Sequence, residues 1–280
     1  MKSDQERAAA LKLPVVRTNF EGVAPCAPGV TPNKSKRLLP EEDPFYGDFI
    51  EAIQYHVKTQ GDVATWIWIQ DDGKTEEPMT WKEMDLKVRA VARRLQEMDL
   101  AGKPVLLVYP PGYDFMIGLF ACFYAGCIAV PTYPPNPAKL RRDLPRFGAI
   151  IRSSGAKASL TTNQIRMFLN SQIATSVKKT ESLRAIGSLE WIVSDKPDYS
   201  LADQYVQFKW KSDDVCMLQF SSGSTGLPKG VMLSMGKLLF HQRFSAQFDV
   251  ASRPFTGGVC WLPPYHDMGL IGNLMLNMYW

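Results

Sequence analysis

An α/β fold built on a largely parallel sheet is predicted by three observations. Short apolar or β-branched runs alternate with helical patterns from about residue 105 onward. One of those helical patterns sits in an uncharged apolar stretch of 16 residues, Phe115 to Val130. Finally, 45% of the 280 residues are apolar against 21% charged, a balance that supports a buried core. Strand and helix in turn imply parallel pairing, because each crossover returns the chain to the same end of the sheet.

The elements follow in order. Residues 1–40 carry Pro14, Pro25, Pro28, Pro32 and Pro40 with little periodicity, which predicts a Pro-rich extension ahead of a domain over 41–280. Phe45, Phe49, Ile53 and Val57 recur at helical spacing behind Asp43-Pro44, where Asp can cap and Pro can enter the first turn. Thr65 to Gln70 reads as a strand, turned into a hairpin by Asp71-Asp72-Gly73. Thr80 and Glu83 have capping-box spacing, and Met84, Val88, Val91, Leu95 and Met98 line one face of the helix they open. Val105 to Val108 is a buried strand and Tyr113 to Ala125 a helix; Cys127 to Val130 is a strand and Lys139 to Ser153 a helix. Ser159 to Thr161, Trp191 to Ser194 and Val215 to Phe220 are further strands. A strand over Gly258 to Leu262 and a helix over Gly269 to Met278 complete the pattern.

Composition excludes several classes. Lys and Arg total 32 and Asp and Glu 28, a net charge of +4 that does not argue for nucleic acid. The densest basic stretch, Lys139 to Arg146, is interrupted by Asp143 and Pro145 and reads as a solvated helix face. Cys26, Cys122, Cys127, Cys216 and Cys260 form no C-x-x-C pair, so neither a disulfide framework nor a metal site is expected, and a reducing, cytoplasmic setting fits. Cys122, Cys127 and Cys216 read as core fillers. Lys12 splits the only apolar stretch near the N-terminus, which argues against a signal peptide. The Phe115 to Val130 run falls short of the roughly 20 residues a bilayer helix needs. Pro131, Pro134, Pro135 and Pro137 follow it, so no membrane span is expected. No G-x-S-x-G elbow occurs, which argues against a serine hydrolase.

The sharpest chemical signal is Gln219-Phe220-Ser221-Ser222-Gly223-Ser224-Thr225-Gly226-Leu227-Pro228-Lys229-Gly230-Val231-Met232. Glycines let a backbone approach a polyanion, hydroxyls and successive N–H groups donate to phosphate oxygens, and lysine adds charge. It is not a Walker loop: Pro228 stands where Gly is required, and Gly230 replaces the Ser or Thr after the lysine. Val231 to Leu233 is β-like, so no helix N-terminus points at the phosphates. A second segment, Trp261-Leu262-Pro263-Pro264-Tyr265-His266-Asp267-Met268-Gly269, places a His and an Asp side by side. On residue type alone His266 is as easily a packed histidine as a catalyst, and an HD-type metal site would need ligands beyond His56 and His241.

The first segment resembles the phosphate-binding signature of the adenylate-forming enzymes, with Ser221, Ser222, Gly223, Ser224, Thr225, Gly226, Pro228, Lys229 and Gly230 in place. The second resembles the family's next motif in the form associated with fatty acyl-AMP ligases, and Tyr124 to Pro135 resembles an early structural motif. The resemblance covers residue 45 to the end. It implies an incomplete N-terminal adenylation domain that activates a fatty-acid carboxylate with ATP and Mg²⁺, giving acyl-adenylate and pyrophosphate. A carrier protein or CoA would be the acceptor. It also implies that Ser221 to Gly226 and Lys229 hold nucleotide phosphates and that His266 lies between the acyl and nucleotide pockets. Asp267 stays open between touching substrate and supporting His266. Fragments of an acyl-CoA synthetase, or of a non-catalytic acyl- or nucleotide-binding relative, remain alternatives.

In that family the adenine motif, a ribose-binding Asp, a hinge and a catalytic Lys come later in the chain, and none can be placed before Trp280. The expectation is therefore a chain cut within a domain, inactive alone. Leu274, Met275, Met278, Tyr279 and Trp280 would then be left uncovered and the chain poorly soluble. Met268, Met275 and Met278 read as core at helical spacing, with an acyl tunnel as the other reading. Deleting residues 1–40 should leave the melting temperature nearly unchanged; a loss of several kcal/mol would show that this segment packs into the domain.

Overall fold

The computed structural model describes residues 46–70, 72–175, 180–221, 228–249 and 259–279. Helix α1 (Phe49–Gln60) opens on Asp48, whose carboxylate accepts from Glu51 N–H. The expected cap, Asp43-Pro44, lies outside the described residues, and the described helix starts later because Asp48 offers its side chain to the first turn. Strands β1 (Ala64–Ile69) and β2 (Glu76–Thr80) pair antiparallel as the expected hairpin. Helix α2 (Trp81–Glu97) carries both arms of the capping box: Thr80 N–H donates to Glu83 Oε2 at 2.8 Å and Glu83 N–H to Thr80 Oγ1 at 3.2 Å.

The main sheet has the order β6-β5-β3-β4-β7-β8. Its strands are β3 (Pro104–Val108), β4 (Ile128–Thr132), β5 (Ala158–Thr161), β6 (Glu190–Val193), β7 (Val215–Ser221) and β8 (Lys229–Ser234). All pair parallel except β8, which returns antiparallel on β7. Helix α3 (Tyr113–Ala125) joins β3 to β4, and helix α4 (Leu140–Ser154) joins β4 to β5. Helices α5 (Asn163–Thr175) and α6 (Glu181–Gly187) precede β6, and α7 (Met235–Asp249) follows β8.

Two cores lie on the two sheet faces, as period-2 side chains require. In β3, Val105 and Leu107 join the core that contains α1, α2 and α3. Leu106 and Val108 join the core under α4 and α6. Helix α3 is buried from Phe115 through Ala125. It stops at Gly126, whose φ of +75° lets its N–H reach back to the Cys122 and Phe123 carbonyls. A Cβ there would lie 2.5 Å from the Phe208 ring, so both conformation and space require glycine. Asp85, buried on α2, accepts from Tyr124 Oη at 3.0 Å and from Arg89 Nε at 2.8 Å, pinning α2 to α3. Burial pushes the Cys122 and Cys216 thiols far up and Cys127 up to about 12, consistent with their role as core fillers.

Two expectations fail at the C-terminal end. Residues 259–262 form no strand, because Val259 and Trp261 face solvent and Pro263-Pro264 follow with no N–H to extend a ladder. Gly258 lies outside the described residues. The expected exposure of Met275, Met278 and Tyr279 is also overturned: all three are fully buried, and Leu274 is partly so. They belong to a helical segment over 267–279 whose middle turn, Leu270–Leu274, is π-helical. The Tyr279 ring meets Tyr46 at 5.3 Å and Phe49 at 6.2 Å, so α1 and α7 supply the cover. Met268, expected in the core with the other two methionines, is instead 66% exposed, since it precedes the buried face of the segment. Trp280 lies outside the described residues. No described helix is long and apolar enough to cross a membrane.

Met278→Ala should cost about 2–5 kcal/mol of stability, as for other buried methionines. Met268→Ala should stay within about 0.5 kcal/mol. Denaturant unfolding of the two variants measures the contrast.

Candidate functional site

The chain order of the sheet sets where a ligand can enter. Strand β3 lies centrally; the chain passes to β4 across the α3 face, then back past β3 to β5 across the α4 face. The loops leaving β3 and β4 therefore part at the carboxyl ends of these strands, and such a reversal leaves a crevice there. A groove of about 340 Å³ occupies the place, lined by Pro110 and Pro111 after β3, by Tyr133, Pro134 and Asn136 after β4, by Lys139, Arg142 and Asp143 of the following turn and helix, and by Tyr265. A larger groove, about 470 Å³, lies between α2 and β6, away from the residues that the sequence singled out.

The wall of the groove is unusual for a central strand pair. Strands β4 and β7 share a single ladder pair, Ala129↔Met217. Pro131, two residues on in β4, has no N–H to continue it. Tyr265 reaches across beyond that pair. Its carbonyl accepts from Gln219 Nε2 on β7 at 3.0 Å, and its ring lies 5.4 Å from that of Tyr133, the residue after β4. Arg146 stacks its guanidinium over the other partner, 5.6 Å from the Tyr133 ring centre. Burial, and then the nearby Tyr133 hydroxyl, push the Tyr265 phenol above its ordinary value, so it stays neutral. The Lys139 to Arg146 stretch is thus solvated only in part: Lys139, Arg141 and Arg142 are exposed, whereas Asp143 is buried, accepting from Arg142 Nε at 2.9 Å and from Asn136 N–H at 3.2 Å.

Strands β7 and β8 form a hairpin whose last pair is Ser221↔Lys229. Both of those residues are exposed at the carboxyl end of β7, with Pro228 buried beside them. Ser222, Gly223, Ser224, Thr225 and Gly226 lie outside the described residues. The structure therefore gives the two anchors of the loop: a hydroxyl on one side and an ammonium on the other. As the sequence predicts, a strand follows the lysine, and no helix begins there.

His266 and Asp267 come next to Tyr265. His266 Nδ1 lies 2.7 Å from Asp267 Oδ1, with both side chains about two-thirds exposed (67% and 66%). A carboxylate on Nδ1 selects the tautomer protonated there and leaves Nε2 to accept. The same carboxylate oxygen accepts from Met268 N–H at 2.8 Å. The turn is tight: His266 N–H donates to Pro263 O at 3.0 Å and Leu270 N–H to His266 O at 2.8 Å. Among the described residues no group of three or more His, Cys, Asp or Glu side chains converges as a metal site. Sequence reasoning missed Gln219, Tyr133 and Arg146 as parts of the site. Gln219 carries a signal in retrospect, an amide in an otherwise apolar strand; nothing local distinguishes the other two.

Comparison with known proteins adds a family. Residues 53–280 match the model of the AMP-binding enzymes, described as "AMP-binding enzyme". Among curated proteins the chain is 33% identical to the medium-chain-fatty-acid–[acyl-carrier-protein] ligase JamA of Moorena producens (strain JHB), over 84% of this chain and 39% of that protein. It is 26% identical to the long-chain-fatty-acid–AMP ligase FadD32 of Mycolicibacterium smegmatis, over 86% and 39%. A solved structure of a fatty acyl-adenylate ligase from L. pneumophila, in complex with acyl adenylate and pyrophosphate, superposes with a TM-score of 0.72 at 27% identity, over 84% of this chain and 38% of that one. The chain spans about two fifths of the length of the curated relatives it matches.

The turn that carries His266 depends on Gly269, where a Cβ would lie 2.5 Å from the Pro263 carbonyl oxygen. Gly269→Ala must move backbone rather than a flexible side chain, so it should cost about 1–3 kcal/mol, read by thermal or denaturant unfolding.

Proposed function

Because the chain belongs to the AMP-binding enzyme family, we propose that it forms the phosphate-binding part of a ligase that joins a fatty-acid carboxylate to the α-phosphorus of ATP, releasing pyrophosphate. The observation that carries this reading is the hairpin loop anchored by Ser221 and Lys229 at the carboxyl end of β7, beside a groove walled by Tyr265 and Tyr133. The names of the relatives, among them fatty-acid ligases that form acyl-AMP, act on an acyl carrier protein or act on CoA, support a fatty acid as the substrate, with a carrier protein or CoA as the acceptor.

The chemistry asks little of acids and bases. A fatty carboxylate with a pKa near that of Glu, about 4.3, is already ionised at pH 7. The obstacle is to bring that anion onto a polyanionic nucleotide and to disperse charge toward the leaving pyrophosphate, so positioning and fixed donors should supply most of the acceleration. In this reading the hydroxyls and N–H groups of Ser221 to Gly226 donate to the β- and γ-phosphate oxygens, and Lys229 holds charge over them. His266, its tautomer held by Asp267, faces the junction of nucleotide and acyl chain through Nε2. The hydroxyl, N–H and ammonium donors of Ser221 to Lys229 suit phosphate oxygens, and Mg²⁺ would enter as part of the MgATP substrate.

In the full-length protein, Lys229→Ala and Thr225→Ala should each lower fatty-acid-dependent ATP–pyrophosphate exchange by about 10²- to 10³-fold, the usual worth of one donor aimed at developing charge. Circular dichroism checks that the fold survives. Unchanged exchange in both folded variants would refute the assignment.

A further inference from the structure

We propose that Gln219 is a positioning residue: it locks the His266 loop to the strand that carries the phosphate loop and so fixes the distance between the acyl and phosphate parts of the site. The inference rests on the function proposed above and deepens it.

Gln219 stands two residues before Ser221 on β7. Its Nε2 donates to Tyr265 O, while its Oε1 is buried with no hydrogen-bond partner among the described residues. A carbonyl can only accept, so the amide nitrogen must face Tyr265, and the orientation of the side chain is set. On one side of Gln219 in sequence is Met217, fully buried; Leu218 and Phe220 pack against the opposite core. An apolar residue would suit the middle of such a strand better than an amide with one end unpartnered, because a buried polar group without a partner is unfavourable. A local rule broken in this way, next to the loops of the site, points to a functional demand.

The demand follows from the gap beside β4. With the β4–β7 ladder limited to Ala129↔Met217, no strand pairing fixes the ends of these two strands relative to each other. Tyr265 spans them by two contacts of different kinds. The ring contact with Tyr133 tolerates sliding, whereas the hydrogen bond from Gln219 is directional. His266 is the next residue, and among the described residues its own N–H and C=O are held only within the turn, to Pro263 and Leu270. Gln219 is therefore the group that refers the turn to β7. Any change in its reach moves His266 relative to Ser221 and Lys229 while leaving the hairpin itself paired.

The test uses Gln219→Met, which keeps length and loses the donor, and Gln219→Glu, in the full-length protein. Hydrogen exchange by mass spectrometry should show the amides of His266 and Leu270 exchanging about tenfold faster in Gln219→Met, the scale of one hydrogen bond, with the β8 amides unchanged. In ATP–pyrophosphate exchange, kcat/KM for the fatty acid should fall about tenfold while the Kd for MgATP stays within about twofold. In Gln219→Glu a carboxylate would repel the Tyr265 carbonyl, but its protonated form can donate. Activity relative to the parent should therefore recover as pH falls from about 8 to about 6, since burial raises a carboxyl pKa, and Gln219→Met should show no such recovery. Unaltered exchange at His266 and Leu270 overturns the proposal, as does faster exchange spread equally over β8, or an equal loss of MgATP affinity. If one variant fails to fold, the other decides. A parent protein with no fatty-acid-dependent activity would refute the proposed function instead, and the amide-exchange comparison would still judge the placement of the loop.

Discussion

Exclusion of water from α3 is the constraint on which the rest of the structure depends. From Phe115 to Ala125 every residue of this helix is buried, so it needs cover on all sides. The sheet supplies one side through Val105, Leu107 and Ala129. Helix α2 supplies another, with its buried carboxylate, Asp85, satisfied by Tyr124 and Arg89. Phe49 of α1 stacks on Phe123 at 5.8 Å, and Trp210 reaches the Phe123 carbonyl at 2.9 Å. The segment over 267–279 then closes over α1 through Tyr279. Packing demand at the core thus reaches the residues just behind His266.

That demand explains how a short polar turn is held in place. The helix behind the turn is anchored by Met275, Met278 and Tyr279, and Gln242 of α7 donates to Ile271 O within the π turn at 3.1 Å. Ahead of the turn, Gln219 and Tyr133 hold Tyr265. Between these fixed points His266 and Asp267 stay at the surface, where an exposed polar contact adds little to stability. Their arrangement matters for geometry rather than for folding. The missing N–H of Pro131 contributes in the same way: it removes ladder bonds from a central strand and leaves the carboxyl ends of β4 and β7 to be bridged by side chains.

Much of this was legible in the residues. Thr80 and Glu83 are a capping box in sequence and in space. The run from Phe115 to Val130 is a buried helix feeding a buried strand, and the alternation after it gives the parallel sheet. Local rules sufficed there, because each signal lies within one element. They failed at Val259 to Leu262, where β-like side chains find no partner strand among the described residues and the following prolines stop one from forming.

The sequence by itself determined the fold class, the order of the elements and the residue types suited to phosphate, because hydrophobic period, caps and loop composition are properties of neighbours along the chain. Only the tertiary structure decided that the apolar end over 275–279 is buried, since its cover comes from α1, more than 200 positions earlier. It also decided that Gln219 and Tyr133 converge on Tyr265, with Arg146 stacked on Tyr133. Those contacts depend on strand order. A sheet in which β4 lies beside both β3 and β7 brings together residues whose separation in sequence carries no trace of their meeting.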